Sequence, residues 1–413
     1  MVEIRPQLLN GPRRAGELAA ALGITRAALL HAYRREVDSV IRFGRARNTR
    51  FAARQRLTGL NSDEFSVFRV DEAGKIANAG QLITLVGHQS IWLPDDAVID
   101  GLPPEMHDNA PRGFLGLSFA RSHPDLELPD DVSNWSDHHV LIAITRRGED
   151  LPGNLVVGRE SFDRFQRLAF ANHGTSDFPT LAAAALAGEH VGSSAGGEQP
   201  KFTSLLEGQH RIVKFATNET ENARRWQDLL TLEHLALETL RSARIAVAKT
   251  ELVDVGNLRC LIVDRFDRVG IRGRRAVLTL AAASERLDGS WTDAAQELTA
   301  RGLLSSVDMH QVALLDAYGA LIANTDRHRY NVLLFPALRT YALAPAFDQL
   351  PMAYAPPASG HLRNTAVDQA VPAVNTLEVW DQAREIATNF WRRAATVNLS
   401  ESMRRIVDVH VRR

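Results

Sequence analysis

Apolar positions along the chain change their period several times, and each change marks an element. Residues 15–22 place Leu18, Ala19 and Leu22 on one helical face, and Gly23 ends that run. Thr25 offers a hydroxyl to cap a second helix through Leu29, Leu30 and Tyr33. Val40 to Gly44 reads as a strand, Arg45 to Thr49 as a loop and Arg50 to Arg54 as a returning strand. Over residues 60–160 the apolar runs are short: Leu82 to Val86, Val140 to Thr145 and Leu155 to Val157, between clusters of Gly, Pro, Asp and Asn. They predict a mixed, strand-rich segment with a turn at Leu102 to Glu105. His138 and His139 adjoin the second run; neighbours on a strand face opposite ways, which argues against a shared metal. The alanines of 182–187 belong to a helix.

Later the strands carry charge in telling places. Phe202 to Leu206 and Arg211 to Phe215 read as strands, and Lys214 sits between apolar neighbours in the second. A helix over about 224–240 shows one apolar stripe of Trp226, Leu229, Leu230, Ala236, Leu237 and Leu240, with Glu233 inside it. A carboxylate on a buried face is costly unless paired. Lys214 is the obvious partner; the other reading lets Glu233 reach the rim. Cys260 to Arg265 is a strand entering Phe266-Asp267-Arg268, where a two-lobed enzyme would place its hinge. There the backbone would meet the ligand, so side-chain identity says little. Val312 to Asn324 is a helix with Leu314, Leu315, Tyr318, Leu321 and Ile322 apolar.

The 413 residues predict two or three domains, and 45% hydrophobic content suffices for sizeable cores. No apolar stretch reaches the roughly 18 residues of a membrane helix, and no apolar signal core follows Glu3 and Arg5. The lone Cys260 lies in an apolar run, so a buried thiol in a reducing cytoplasm is expected. The net charge of −1 hides an asymmetry: residues 1–60 carry 12 Lys+Arg and 4 Asp+Glu, or +8, leaving −9 for the remainder. A basic head with helix, glycine turn, helix and hairpin fits a winged helix-turn-helix over residues 1–58 that binds double-stranded DNA. Arg26, Arg34 and Arg35 would lie on or beside the second helix, and Arg45, Arg47 and Arg50 near the wing. Otherwise these arginines form a solvated face.

The most informative run is Asn324-Thr-Asp-Arg-His-Arg-Tyr-Asn331. Asp326 and Asn331 have the spacing of the base and the metal-binding asparagine in protein-kinase catalytic loops. Asp348 follows in Ala-Pro-Ala-Phe-Asp and offers a carboxylate to Mg²⁺, as Asn331 offers an amide oxygen. Upstream, Gly192 to Lys201 is a glycine-rich loop whose small residues let backbone N–H groups approach phosphates. No Gly-Lys-Ser/Thr follows, so it is not a Walker A loop; alone it fits a hairpin turn equally well. Glycine loop, Lys214, Glu233, Asp326, Asn331 and Asp348 occur in kinase order.

Over roughly residues 80–400 the chain resembles the HipA family of serine/threonine kinases, the toxin halves of bacterial toxin–antitoxin pairs. The resemblance rests on Ser194-Ala195-Gly196-Gly197-Glu198-Gln199-Pro200-Lys201, Lys214, Glu233, Arg265-Phe266-Asp267-Arg268, the Asn324–Asn331 motif and Ala344-Pro345-Ala346-Phe347-Asp348. Residues 100–157 resemble that family's N-terminal subdomain more loosely. The resemblance implies an α+β, bilobal kinase-like fold, with a β-rich subdomain over 59–160 and a kinase core over 161–413. It implies ATP and Mg²⁺ as cofactors. Gly196, Gly197, Gln199, Lys201, Lys214 and Glu233 would serve the nucleotide, Asp326 would be the base, Asn331 and Asp348 the metal ligands, and Ser194 the autophosphorylated residue, with Ser193 a neighbouring acceptor. It further implies a protein substrate such as an aminoacyl-tRNA synthetase or another translation factor. Family toxins usually leave the helix-turn-helix to a separate antitoxin; here it is fused, which leaves the antitoxin open. Glu198 places an acid in a phosphate-facing loop. Two rivals stand beside the kinase: a DNA-binding regulator with a catalytically idle body, and a small-molecule kinase.

Overall fold

A computed structural model describes residues 2–187, 199–286, 288–357 and 361–413. At the N-terminal end, helices Ala15–Ala21 and Arg26–Tyr33 meet at a turn where Gly23 takes φ +65°. The Thr25 hydroxyl accepts from the Ala28 N–H at 3.2 Å, capping the second helix. An antiparallel sheet in the order Arg13–Arg14, Arg50–Ala53, Val40–Phe43 follows. Its hairpin alternates between two cores. Val40, Phe51 and Ala53 face the head's own helices with Leu18 and Leu29. Ile41, Phe43 and Ala52 face Ile83, Leu85 and Ile91 of the next unit. Val86 N–H also donates to the Ala53 carbonyl at 3.0 Å. The head is therefore packed onto its neighbour rather than hung from a linker.

The middle unit is a five-stranded antiparallel sheet in the order Val98–Asp100, Gln89–Leu93, Ile76–Leu85, Glu64–Val70, Leu155–Val157. Much of the stretch between the last two strands in sequence is helical. Val140 to Thr145, expected as a strand, lies within the helix Asp137–Arg147. All six of these residues are buried. A short continuous apolar run suits a fully buried helix as well as a strand, and periodicity cannot separate the two. The helix covers the sheet through Val140, Leu141 and Ile144 against Phe65, Val67 and Leu82. His138 and His139 sit in its first turn. His139 Nδ1 accepts from the Ser136 N–H at 3.1 Å, and His138 Nε2 meets the Thr58 carbonyl at 2.6 Å.

The C-terminal body has two parts. The smaller is a sheet in the order Thr250–Val255, Leu258–Asp264, Gln209–Ala216, Lys201–Leu206, Asn172–His173, antiparallel except at the last pair. One face, with Phe202, Val213, Phe215, Cys260 and Ile262, packs on the helix Phe178–Ala187. The other, with Leu261 and Val263, packs on the helix Glu221–Ser242. The larger part is helical, built on Trp291–Ala300, Ser306–Leu321, Trp380–Ala394 and Glu401–Arg412. This is the two-lobed, kinase-like α+β arrangement anticipated from the sequence. Among the described residues no helix is long and apolar enough to cross a membrane.

The segment expected as a hinge carries a buried ionic joint in its side chains. Asp267 receives Arg265 at 2.8 Å and Arg268 at 2.5 Å, while Arg268 also reaches Asp150 of the middle unit at 3.1 Å. Gly153 N–H donates to Asp267 at 3.3 Å. Burial alone would raise the Asp267 carboxyl, but Arg265 and Arg268 hold it well below the usual range. These side chains fix the middle unit to the small lobe.

Candidate active site

Strand alternation decides where Lys214 points. Val213 and Phe215 face the Phe178–Ala187 helix, so Lys214 faces the Glu221–Ser242 helix, which delivers Glu233. The expected pair is present. Lys214 Nζ lies 2.7 and 2.9 Å from the two Glu233 oxygens and 2.5 Å from Asp348 Oδ1. Glu233 is 1% exposed. Burial would depress the Lys214 ammonium, but Asp348 and Glu233 together hold it above the usual lysine value. Burial pushes the Glu233 carboxyl up, and Lys214 offsets this only in part. The Asp348 carboxyl, also pushed up by burial, is brought below its usual value by Lys214 and Lys201.

Lys201 stands opposite Lys214 in the antiparallel register and so shares its face. Its charge is felt at Glu233, Asp326 and Asp348. Gln199 Nε2 donates to the Phe215 carbonyl at 2.6 Å, and Phe215 N–H donates to the Pro200 carbonyl at 3.0 Å. These bonds fix where the glycine-rich loop rejoins the sheet. Ser193, Ser194, Gly196, Gly197 and Glu198 lie outside the described residues.

The Ser306–Leu321 helix ends where Ala323 adopts φ +62°, and Asn324 then organises the loop. Its Oδ1 accepts from the Asp326 N–H at 3.0 Å, and its Nδ2 lies 3.4 Å from the Asp348 carbonyl. Asp348 itself has φ +56°, a left-handed conformation that aspartate tolerates better than most residues. Asn331 Nδ2 donates to the Asp326 carbonyl at 2.9 Å and lies 3.4 Å from its carboxylate. The loop is braced from behind by Arg327 on Asp316 at 3.2 Å and by Trp291 Nε1 donating to the His328 carbonyl at 2.9 Å. The Asp326 carboxyl is raised, first by burial and further by Asp348, against His328, Asn331 and Lys201. The structure thus brings Lys201, Lys214, Glu233, Asp326, Asn331 and Asp348 to one region.

A further contact had no signal in the sequence. Arg112 of the middle unit places its guanidinium 4.2 Å from the centre of the Tyr330 ring, inside the Asp326–Asn331 loop. Nearby, Asp108 accepts from the Thr279 N–H at 2.6 Å and its hydroxyl at 3.1 Å. The middle unit therefore touches both lobes.

In the head, Arg26, Arg34, Arg35, Arg45 and Arg47 are exposed and Arg50 is half-buried. Arg35 lies 2.7 Å from His31. Arg54 differs from these six: it is bound to Asp63 at 3.1 Å and Glu64 at 2.6 Å, a structural role.

Residues 61–166 match the family model of the YjjJ-like toxin middle domain, and residues 193–413 that of the HipA-like C-terminal domain. Toxin YjjJ of Escherichia coli (strain K12) is 36% identical over 430 residues, covering 98% of this chain and 96% of that protein. Among solved structures, HipA of Shewanella oneidensis MR-1, in complex with HipB and operator DNA, aligns with 75% of this chain and 83% of its own at 16% identity and TM-score 0.46. The Helicobacter pylori proinflammatory kinase CtkA aligns with 51% of this chain and 88% of its own at 12% identity and TM-score 0.34.

Proposed function

The chain belongs to the HipA-like family, on its YjjJ-like branch, and from that premise we propose an ATP- and Mg²⁺-dependent serine/threonine protein kinase that acts as a toxin. The observation that carries this reading is the convergence of Glu233 and Asp348 on the Lys214 ammonium beside the hydrogen-bonded Asp326–Asn331 loop.

The donor set fits a magnesium nucleotide. Lys214 and Lys201 present two cations on one sheet face to phosphate oxygens. Glu233 holds the Lys214 stem in place. With Nδ2 turned to Asp326, Asn331 has its amide oxygen to give, and Asp348 has a carboxylate; such hard oxygens suit Mg²⁺. The ion, when bound, neutralises charge on the phosphates. Asp326 accepts the proton of an acceptor hydroxyl, whose oxygen bonds the γ-phosphorus as the bond to the β-phosphate oxygen breaks and ADP leaves. Its raised carboxyl strengthens it as a base. Ser194 would be the internal acceptor. A phosphate there adds nearly two negative charges to the loop leading into Lys201, weakening a second nucleotide's hold. The acceptor in trans is a protein in the cytoplasm; a translation factor is the class the family resemblance supports.

Residues 1–58 are proposed as a winged helix-turn-helix on double-stranded DNA. The exposed arginines support it, Arg26 opening the second helix and Arg45 and Arg47 lying in the hairpin turn.

Transfer of label from ATP in the presence of Mg²⁺ tests the kinase. Asp326→Asn should lower the rate about 10²–10⁴-fold with nucleotide still bound. A wild-type chain that binds ATP–Mg²⁺ tightly but transfers nothing would favour the idle-body regulator instead.

A further inference from the structure

We propose that the surface beside the Asp326 loop is a docking groove for the acceptor polypeptide, and that it takes an acidic segment with an apolar side chain near it. This names the substrate class of the site proposed above and rests on that reading for the word acceptor.

A cavity of about 490 Å³ opens next to the loop, walled by Arg327, His328, Arg329 and Tyr330 on one side and by Arg286 and Asp288 on the other. The His328 ring nitrogen lies 3.4 Å from Asp326 Oδ1, so a wall residue of the cavity touches the candidate base. Arg286, Arg327 and Arg329 line it beside one carboxylate, Asp288, and the Arg329 guanidinium donates to the Arg286 carbonyl. Arg327 is committed to Asp316. Arg286 is held by no close ion pair: its contact with Asp288 is 3.9 Å, with the two side chains 47% and 93% exposed, its charge is also felt at Asp293, and such exposed contacts contribute little. An incoming carboxylate can take Arg286 from Asp288 at small cost.

An apolar ridge borders this basic cavity. The short helix Val374–Val379 has three residues per turn, so Val374 and Leu377 share an edge, with Val371 leading into it. Their exposures are 88%, 56% and 81%. Thr376 and Val379 face inward, which fixes the outward face. Single exposed aliphatics need no explanation, but three within seven residues of chain, two of them on one helix edge, do. The ridge is tied to the cavity. Asn375 Nδ2 donates to Ser290 Oγ at 3.1 Å and to Asp293 Oδ1 at 2.9 Å, and Ser290 follows Gly289, itself part of the cavity wall. Basic cavity, candidate base and ridge thus form one surface, and charge complementarity selects an acidic occupant over a basic one.

Fluorescence anisotropy on the full chain without ATP tests the groove. The probes are labelled peptides with a central serine, flanked by glutamates and a downstream leucine; glutamine and lysine replace the glutamates in the controls. The glutamate peptide should bind about tenfold more tightly than the glutamine peptide at low salt. Arg286→Glu should abolish that preference. Val374→Asp, at an exposed position, should weaken leucine-bearing peptides and leave leucine-free ones unchanged. Nucleotide affinity should be unaltered in both variants, which certifies their folding. Equal binding of all three peptides, an inert Arg286→Glu, or stronger competition by an oligouridine than by the glutamate peptide would overturn the proposal. Because the readout needs no turnover, absent phosphate transfer would refute the kinase and leave the docking result standing.

Discussion

Replacing Lys214 by methionine separates what this residue does for stability from what it does for chemistry. The ammonium sits 2.7 Å from Glu233 and 2.5 Å from Asp348. Glu233 is 1% exposed, whereas the Asp348 side chain keeps 25% of its surface and can recruit water. Removing one partner of a buried pair costs about 3–5 kcal/mol; with one of the two carboxylates partly solvated, the lower end, about 3 kcal/mol, is expected. The Glu233 carboxyl is raised even with lysine present, and without it rises further. A carboxyl with a raised folded value binds more protons in the native state than in the unfolded one, so its contribution falls as pH rises. The penalty in Lys214→Met should therefore be largest near about pH 8 and smaller near about pH 5.5. A chain of several units has no single unfolding free energy. Hydrogen exchange of the amides in the Glu221–Ser242 helix is the right assay, and 3 kcal/mol appears there as roughly hundredfold faster exchange. Adding Glu233→Leu makes the Lys214–Glu233 pair apolar, leaving only the partly solvated Asp348, and should recover most of that loss without recovering nucleotide binding. An unchanged exchange rate in the single variant, or a double variant less protected than the single, would refute the buried-pair reasoning.

Arg112→Ala should lower kcat several-fold with nucleotide affinity unchanged, in line with a cation–π contact of about 1 kcal/mol on the Asp326–Asn331 loop; Tyr330→Ala should reproduce it and Tyr330→Phe should not, as steady-state kinetics will show. Arg45→Gln with Arg47→Gln should weaken DNA binding irrespective of sequence and reduce the slope of log affinity against log salt by about 2, measured by anisotropy across a salt series. The Cys260 thiol, fully buried and pushed up to about 12 by burial, should resist iodoacetamide near about pH 8 until denaturant is added, as followed by intact mass.

Much of the candidate site could be read from sequence because its parts violate their local pattern. Glu233 interrupts an apolar helical stripe and Lys214 an apolar strand, and each violation demanded a partner. The Asp326–Asn331 spacing is local, so it survives without knowledge of the fold. The two helices of the head were legible through Gly23 and Thr25, which act within a few residues of themselves. What stayed hidden acts across the chain. Val140 to Thr145 is uniformly buried, and a uniformly apolar run carries no period. Arg265, Asp267 and Arg268 read as a hinge segment and as part of the family pattern, with no role for their side chains; only the placement of Asp150 against them makes a joint. Arg112 meets Tyr330 through the packing of two units, a contact no local spacing encodes.

The most direct measurement is mass spectrometry of the purified chain after incubation with ATP and Mg²⁺, beside Asp326→Asn treated identically. Phosphate on Ser194 in the first and its absence from the second is the predicted result. A wild-type chain that binds the nucleotide yet carries no phosphate on any residue, and labels no protein added to it, would contradict the assignment of Lys214, Asp326, Asn331 and Asp348 to phosphoryl transfer.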